Sequence, residues 1–198
     1  MTQNKKIYAV TGGIGCGKTA VSGIIRREGY PVFSCDEIYA GMTKGGELVK
    51  KLEEKFGGVT LPDGSLDRRA LSSRIFADDD ARRALDKITH PAIMKELFSR
   101  AADSDGKVVF CEVPLLFENG FEKLFDGVIV VTRPLAQRVK AVMERSGLSE
   151  NEVLARIDAQ FDYGKADLTD YYVVSNDGDM DELDKKVKKI LQNTAKLA

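Results

Sequence analysis

The chain has 198 residues, of which 43% are apolar, and a net charge of −1, which suits one domain of ordinary size with room for insertions. Charge so nearly balanced gives no reason to expect nucleic acid as a partner, and no window approaches the roughly 18 apolar residues of a membrane span. Cys16, Cys35 and Cys111 are widely spaced and the chain has a single histidine, which excludes a zinc framework and suits a reducing cytoplasm.

Short β-branched runs recur along the chain: Lys6–Thr11, Pro31–Ser34, Lys107–Val113, Gly127–Thr132 and Tyr171–Ser175. Most are continuously apolar, the pattern of strands covered on both faces of a parallel sheet. Helical patterns lie between them. The run from Lys18 buries Val21, Ile24 and Ile25 and stops at Gly29. From Asp36 to Gly106 the pattern is mostly helical, broken by "GGVTLPDGSLD" with its Pro-Asp-Gly turn chemistry. That is too long for one crossover and reads as a helical insertion over the carboxyl edge of the sheet. The segments Pro134–Ser146 and Ser149–Asp162 form an arginine-bearing helical pair, with Ser149 and Glu152 as a capping box. A last helix carries Leu183, Val187, Ile190, Leu191 and Leu197 on one face. The expected fold is α/β: a P-loop fold with a parallel five-stranded sheet flanked by helices, a helical substrate-binding insertion and a helical lid.

Gly12 to Thr19, "GGIGCGKT", matches G-x-x-x-x-G-K-[ST] between a strand and a helix. A phosphate chain needs several backbone N–H groups converging at close range, with a helix N-terminus behind them. Gly13, Ile14, Gly15, Cys16, Gly17, Lys18 and Thr19 are therefore expected to bind ATP. Lys18 supplies charge at the β- and γ-phosphates, and the Thr19 hydroxyl is a ligand for Mg²⁺. Cys16, inside the loop beside Lys18, is expected to favour its thiolate. The Asn-Lys-x-Asp of a GTPase is absent. Asp36 follows a strand expected to lie next to the P-loop strand, where a carboxylate could orient an attacking hydroxyl or take its proton. It could equally be the N-cap of the next helix.

"TGGIGCGKT", "FSCDEIYA", "LDRRALSSRIFADDDARRALDKITHPAI", "EVPLLFENG", "ERSGLSENEVLARIDAQ" and "YYVVSN" occur in this order. Together they resemble the dephospho-coenzyme A kinases over nearly the whole chain. The resemblance implies transfer of the ATP γ-phosphoryl to the ribose 3′-hydroxyl of dephospho-CoA, the last step of CoA synthesis. It implies a core of residues 1–36, 107–133 and 163–198, a dephospho-CoA-binding domain of 37–106 and a lid of 134–162. Asp36 is then expected to engage the 3′-hydroxyl; Asp36, Lys18 and Arg145 would be catalytic. Arg68, His90, Leu115, Leu116 and Glu118 would touch the acceptor, and Asn176 would lie near the adenine. Glu112 stands where the family usually has aspartate and is the second expected metal ligand. Ala141 stands where the lid commonly has arginine, and Arg138, one turn away, is the candidate replacement on ATP.

Pro91 is expected to disturb the helix at His90, and at most one of Arg68 and Arg69 can face a ligand. The expected partners are ATP and dephospho-CoA, with neither nucleic acid nor membrane, and a monomer is the expected state. Another small-molecule kinase, such as a nucleoside monophosphate kinase, or a noncatalytic nucleotide-binding module are the alternative readings.

Overall fold

A computed structural model describes residues 5–76 and 78–195; Leu197, assigned above to the last helical face, lies outside the described residues. The strands are β1 (Lys6–Thr11), β2 (Val32–Ser34), β3 (Val108–Glu112), β4 (Gly127–Thr132) and β5 (Tyr172–Ser175), in spatial order β2-β3-β1-β4-β5. β1 pairs in parallel with β3 and β4, and β4 with β5. The helices are α1 (Lys18–Arg27), α2 (Cys35–Met42), α3 (Glu47–Phe56), α4 (Arg68–Ile75), α5 (Asp79–Asp103), α6 (Leu135–Ser146), α7 (Glu150–Asp158) and α8 (Met180–Ala195).

The strand order corrects one expectation: β3, not β2, lies between the P-loop strand and the edge on that side. The physical reason is visible in the residues. β3 is buried at every position and can stand only where both of its edges and faces are covered. β2 is three residues long and only partly buried, which suits an edge.

Two compact units are present. One runs to Val32 and resumes at Asp103, and it holds the main core. There Tyr8, Val10, Phe110, Ile129 and Val131 on one face of the sheet meet Val21, Ile24 and Ile25 of α1 and Leu183, Val187 and Leu191 of α8. α1 ends where Gly29 N–H and Tyr30 N–H donate to the Arg26 and Ile25 carbonyls, closing the last turn. Within the same unit α6 and α7 make a small core of their own from Val139, Val142 and Val153, with Ile14 packed against it. The capping box of Ser149 and Glu152 opens α7 as its sequence implies. α7 closes at Asp158, four residues short of the helical span read from sequence.

The other unit, Phe33–Ala102, is helical. Leu48, Val49, Leu52, Val59, Leu66 and Leu71 form its buried centre. The loop between α3 and α4 is fastened by Glu53, whose carboxylate accepts from the Gly58 and Val59 N–H groups and the Thr60 hydroxyl. α5 runs unbroken through Pro91, contrary to the disturbance expected at His90. A proline removes a single intrahelical hydrogen bond, and the packing of Ile88, Ala92 and Met94 along the same helix offsets it.

Candidate active site

The loop from Gly12 to Gly17 carries the site, and its side-chain partners explain its shape. Consecutive carbonyls are each taken by a side-chain donor. Lys18 Nζ donates to the Gly12 and Gly13 oxygens at 2.7 and 3.3 Å. Arg138 Nε donates to Ile14 O at 3.0 Å, Arg133 Nη1 to Gly15 O at 3.4 Å, and Asn176 Nδ2 to Cys16 O at 2.9 Å. With these carbonyls occupied by donors, and the Ile14 and Cys16 N–H groups given to Gln160 Oε1 and Gly13 O, an anion would be met by the N–H groups of the other loop residues. Gly17 has φ 93°, and a Cβ there would come within 2.3 Å of Asn176 Nδ2. The glycine is thus required by the clamp as much as by phosphate.

α1 begins at Lys18 directly behind the loop, adding the positive end of its dipole. Thr19 Oγ1 donates to Glu112 Oε1 at 3.0 Å. Glu112 is buried at the carboxyl end of β3. Hydroxyl and carboxylate oxygens are the hard donors that Mg²⁺ takes, with phosphate and water completing its shell. The donor set therefore fits the ion that the motif implies. Among the described residues no group of three or more His, Cys, Asp or Glu could hold an ion by itself.

Cys16 is buried, and burial pushes its thiol pKa up, against the lowering influence of Arg138 and Lys18. This overturns the expected thiolate: loss of solvation outweighs the neighbouring charges. Asn176 is tied to the loop through Cys16 O, and its own N–H donates to Thr132 O at 2.8 Å. Arg138 and Arg145 lie two turns apart on one face of α6, with Ala141 between them. Arg145 is exposed and makes no side-chain hydrogen bond or ion pair among the described residues.

In the segment after β3, Leu115 is exposed and holds φ 54°, an unfavourable conformation for a branched side chain and one that collects at functional sites. Leu116 is fully buried. Its side chain packs in the interior, so any contact with an acceptor falls to its backbone. Glu118 Oε1 accepts from Phe161 N–H at 2.9 Å. Phe117 stacks on Phe161 with centroids 4.7 Å apart, and Tyr163 and Tyr171 meet the ring edge-on. Burial lifts the Tyr163 phenol to about 12.

In the helical unit Asp36 is exposed at the second position of α2. Ser34, not Asp36, occupies the N-cap. Asp36 and Glu37 share the first turn, where negative charge suits the helix dipole. Arg68 opens α4 after Asp67, whose carboxylate caps the Arg69 and Ala70 N–H groups. Arg68 Nη2 donates to Thr43 Oγ1 at 3.0 Å, and its guanidinium lies 5.8 Å from the Tyr39 ring centre. Arg69 points elsewhere, as adjacent helix positions must. His90 Nε2 lies 3.5 Å from Asp86 Oδ1, one turn back along α5.

Sequence reasoning missed Arg133 and Gln160. Gln160 Oε1 accepts from the Ile14 N–H at 2.7 Å. Gln160 closes the quoted segment "ERSGLSENEVLARIDAQ", but nothing local assigns either residue a role; only the fold brings the end of β4 and the end of α7 to the loop.

A glycine-rich loop joining the central strand of a parallel sheet to a helix, with a hydroxyl and a carboxylate beside it, defines a P-loop nucleotide-binding protein. The family model for dephospho-CoA kinase matches residues 6–182, and the chain belongs to that family of ATP-dependent kinases. It is 37% identical over 185 residues to a Thermus thermophilus dephospho-CoA kinase, covering 93% of this chain and 90% of the relative. A crystal structure from Thermus thermophilus is similar with a TM-score of 0.82 at 35% identity, over 96% of this chain and 98% of the other. The dephospho-CoA kinase from Campylobacter jejuni superposes with a TM-score of 0.71 at 27% identity, over 97% and 98%.

Proposed function

We propose that this chain transfers the γ-phosphoryl of ATP to the ribose 3′-hydroxyl of dephospho-CoA. The observation that carries transfer from ATP is the phosphate loop itself, with its carbonyls held by side-chain donors and Thr19 and Glu112 paired beside it, and the family match supports the acceptor. Phosphoryl transfer asks the protein chiefly for position and charge. The loop from Gly13 to Thr19 binds the phosphates, with the Ile14 N–H already given to Gln160, and Lys18 leaves the Gly12 and Gly13 carbonyls to neutralise the transferred group. Thr19 and Glu112 would hold Mg²⁺, which when bound offsets phosphate charge. Arg138 and Arg145, on one face of α6, meet the same charge from the other side.

Asp36 orients the acceptor hydroxyl and takes its proton. Arg68, braced by Thr43 and Tyr39, and His90 bind the acceptor, together with the segment of Leu115, Leu116 and Glu118. Asn176 borders the adenine while holding the loop. Residues 37–106 serve as the acceptor-binding domain, 134–162 as the lid, and the remainder as the nucleotide core. No helix among the described residues is long and apolar enough to cross a membrane; action in the cytoplasm, as a monomer, is part of the proposal.

The test is ADP formation from ATP with dephospho-CoA, with nucleoside monophosphates, and with no acceptor. Turnover with dephospho-CoA alone is expected. Equal turnover with a nucleoside monophosphate would assign a different acceptor, and ATP binding without turnover would leave a nucleotide-binding module.

A further inference from the structure

Ile14 is the one bulky residue of the phosphate loop, and it stands between Gly13 and Gly15. A peptide beside residues without Cβ rotates with little steric hindrance. Rotation here would change which backbone N–H groups meet bound phosphate. Within the loop the Cys16 N–H donates to the Gly13 carbonyl at 3.2 Å, and α6 and α7 add three fastenings at Ile14. The Ile14 side chain packs against the small core of Val139, Val142 and Val153. Arg138 of α6 donates to its carbonyl at 3.0 Å. Gln160, just past α7, accepts from its N–H at 2.7 Å.

The fastenings differ in kind. The peptide joining Gly13 to Ile14 is held at its carbonyl by Lys18, at 3.3 Å, and at its N–H by Gln160. Lys18 and Arg138 are cations, drawn toward phosphate when nucleotide arrives. Gln160 is neutral and feels no such pull. We infer that Gln160 is a positioning residue: by taking the Ile14 N–H it fixes the turn from which the following loop N–H groups meet phosphate, after the cations have turned to the nucleotide. Through it, the geometry of the phosphate loop depends on the α6–α7 pair. This inference rests on the reading of the loop as the ATP phosphate site.

Gln160→Met keeps the length of the side chain and removes the acceptor. In this variant the Ile14 amide, followed by ¹⁵N-resolved hydrogen exchange of the ATP-bound protein, is expected to exchange about tenfold faster. The KM for ATP is expected to rise roughly three- to tenfold, with the KM for the acceptor unchanged. Gln160→Glu, which keeps both length and acceptor, is expected to retain the wild-type protection of Ile14. Unchanged exchange in Gln160→Met, or loss of protection in Gln160→Glu, would overturn the assignment. So would a rise in acceptor KM equal to that for ATP. Calorimetric titration of the wild-type protein with ATP alone separates the two levels. Absence of binding there removes the phosphate-site reading, whereas tight binding with an indifferent Gln160 removes only the role of Gln160.

Discussion

Lys18 shows how the resting site and the working site differ. Its ammonium lies on the Gly12 and Gly13 carbonyls, a placement that holds the charge inside the loop until phosphate competes for it. Lys18→Ala is expected to lower turnover by about a thousandfold, the scale of a lost charge stabiliser in the transition state, with melting little altered. Steady-state kinetics on the folded variant checks this. Asp36 separates chemistry from structure more sharply. Ser34 holds the N-cap, so Asp36→Asn is not expected to cost α2 a cap. Turnover is expected to fall roughly 10²–10⁴-fold, as for a lost general base, at unchanged ATP affinity. Wild-type turnover would remove Asp36 from the chemistry. Cys16 was legible as a loop residue but not as a buried one, because burial is a property of the packing around it. With its thiol pKa raised by burial, it is expected to alkylate more slowly than an unhindered thiol at neutral pH, with or without ATP. Mass spectrometry of the labelled peptide reads this directly.

The strands and most helices were readable because their signals are local. β1 and β4 were bounded correctly from continuous apolar runs, and the Ser149–Glu152 box placed the start of α7. What was not readable is pairing: nothing within β2 says that β3 will come between it and β1. Nor does any local pattern bring Arg133 to Gly15 or Gln160 to Ile14, since those contacts span more than 100 residues. Pro91 was misread for the opposite reason, a local rule overridden by packing. The helix caps give a test at this scale. Ser149→Ala removes the acceptor of the Glu152 N–H and is expected to cost about 1 kcal/mol by chemical denaturation. Because α7 leads directly to Gln160, the KM for ATP is expected to rise with it. A stability loss without any change toward ATP would show α7 and the loop to be uncoupled.

The molecule as a whole is held by many exposed carboxylates at their most favourable when ionised. Lys186 and Ser175 hold Asp177 down to about 2. Hydrogen bonds likewise lower Glu53 through Thr60, Glu152 through Ser149, and Asp167 through Thr169. Each folded pKa is depressed, so the stabilisation is complete above the ordinary carboxylate range and is lost as pH falls from about 4 toward 2. Cys16 and Tyr163 are raised, so their contribution is complete at neutral pH and is lost as pH climbs toward about 12. Melting temperature is therefore expected to be level from roughly pH 5 to 8 and to fall on both sides. A maximum below pH 4 would contradict these assignments. Phosphoryl transfer is tested most directly by following the label from γ-³²P-ATP in the presence of dephospho-CoA and reading the product by mass. The label is expected in a product one phosphoryl heavier than dephospho-CoA and sensitive to a 3′-specific phosphatase, and its appearance should be lost in Lys18→Ala. Label found only in inorganic phosphate, or carried elsewhere than the 3′ position, would contradict the account.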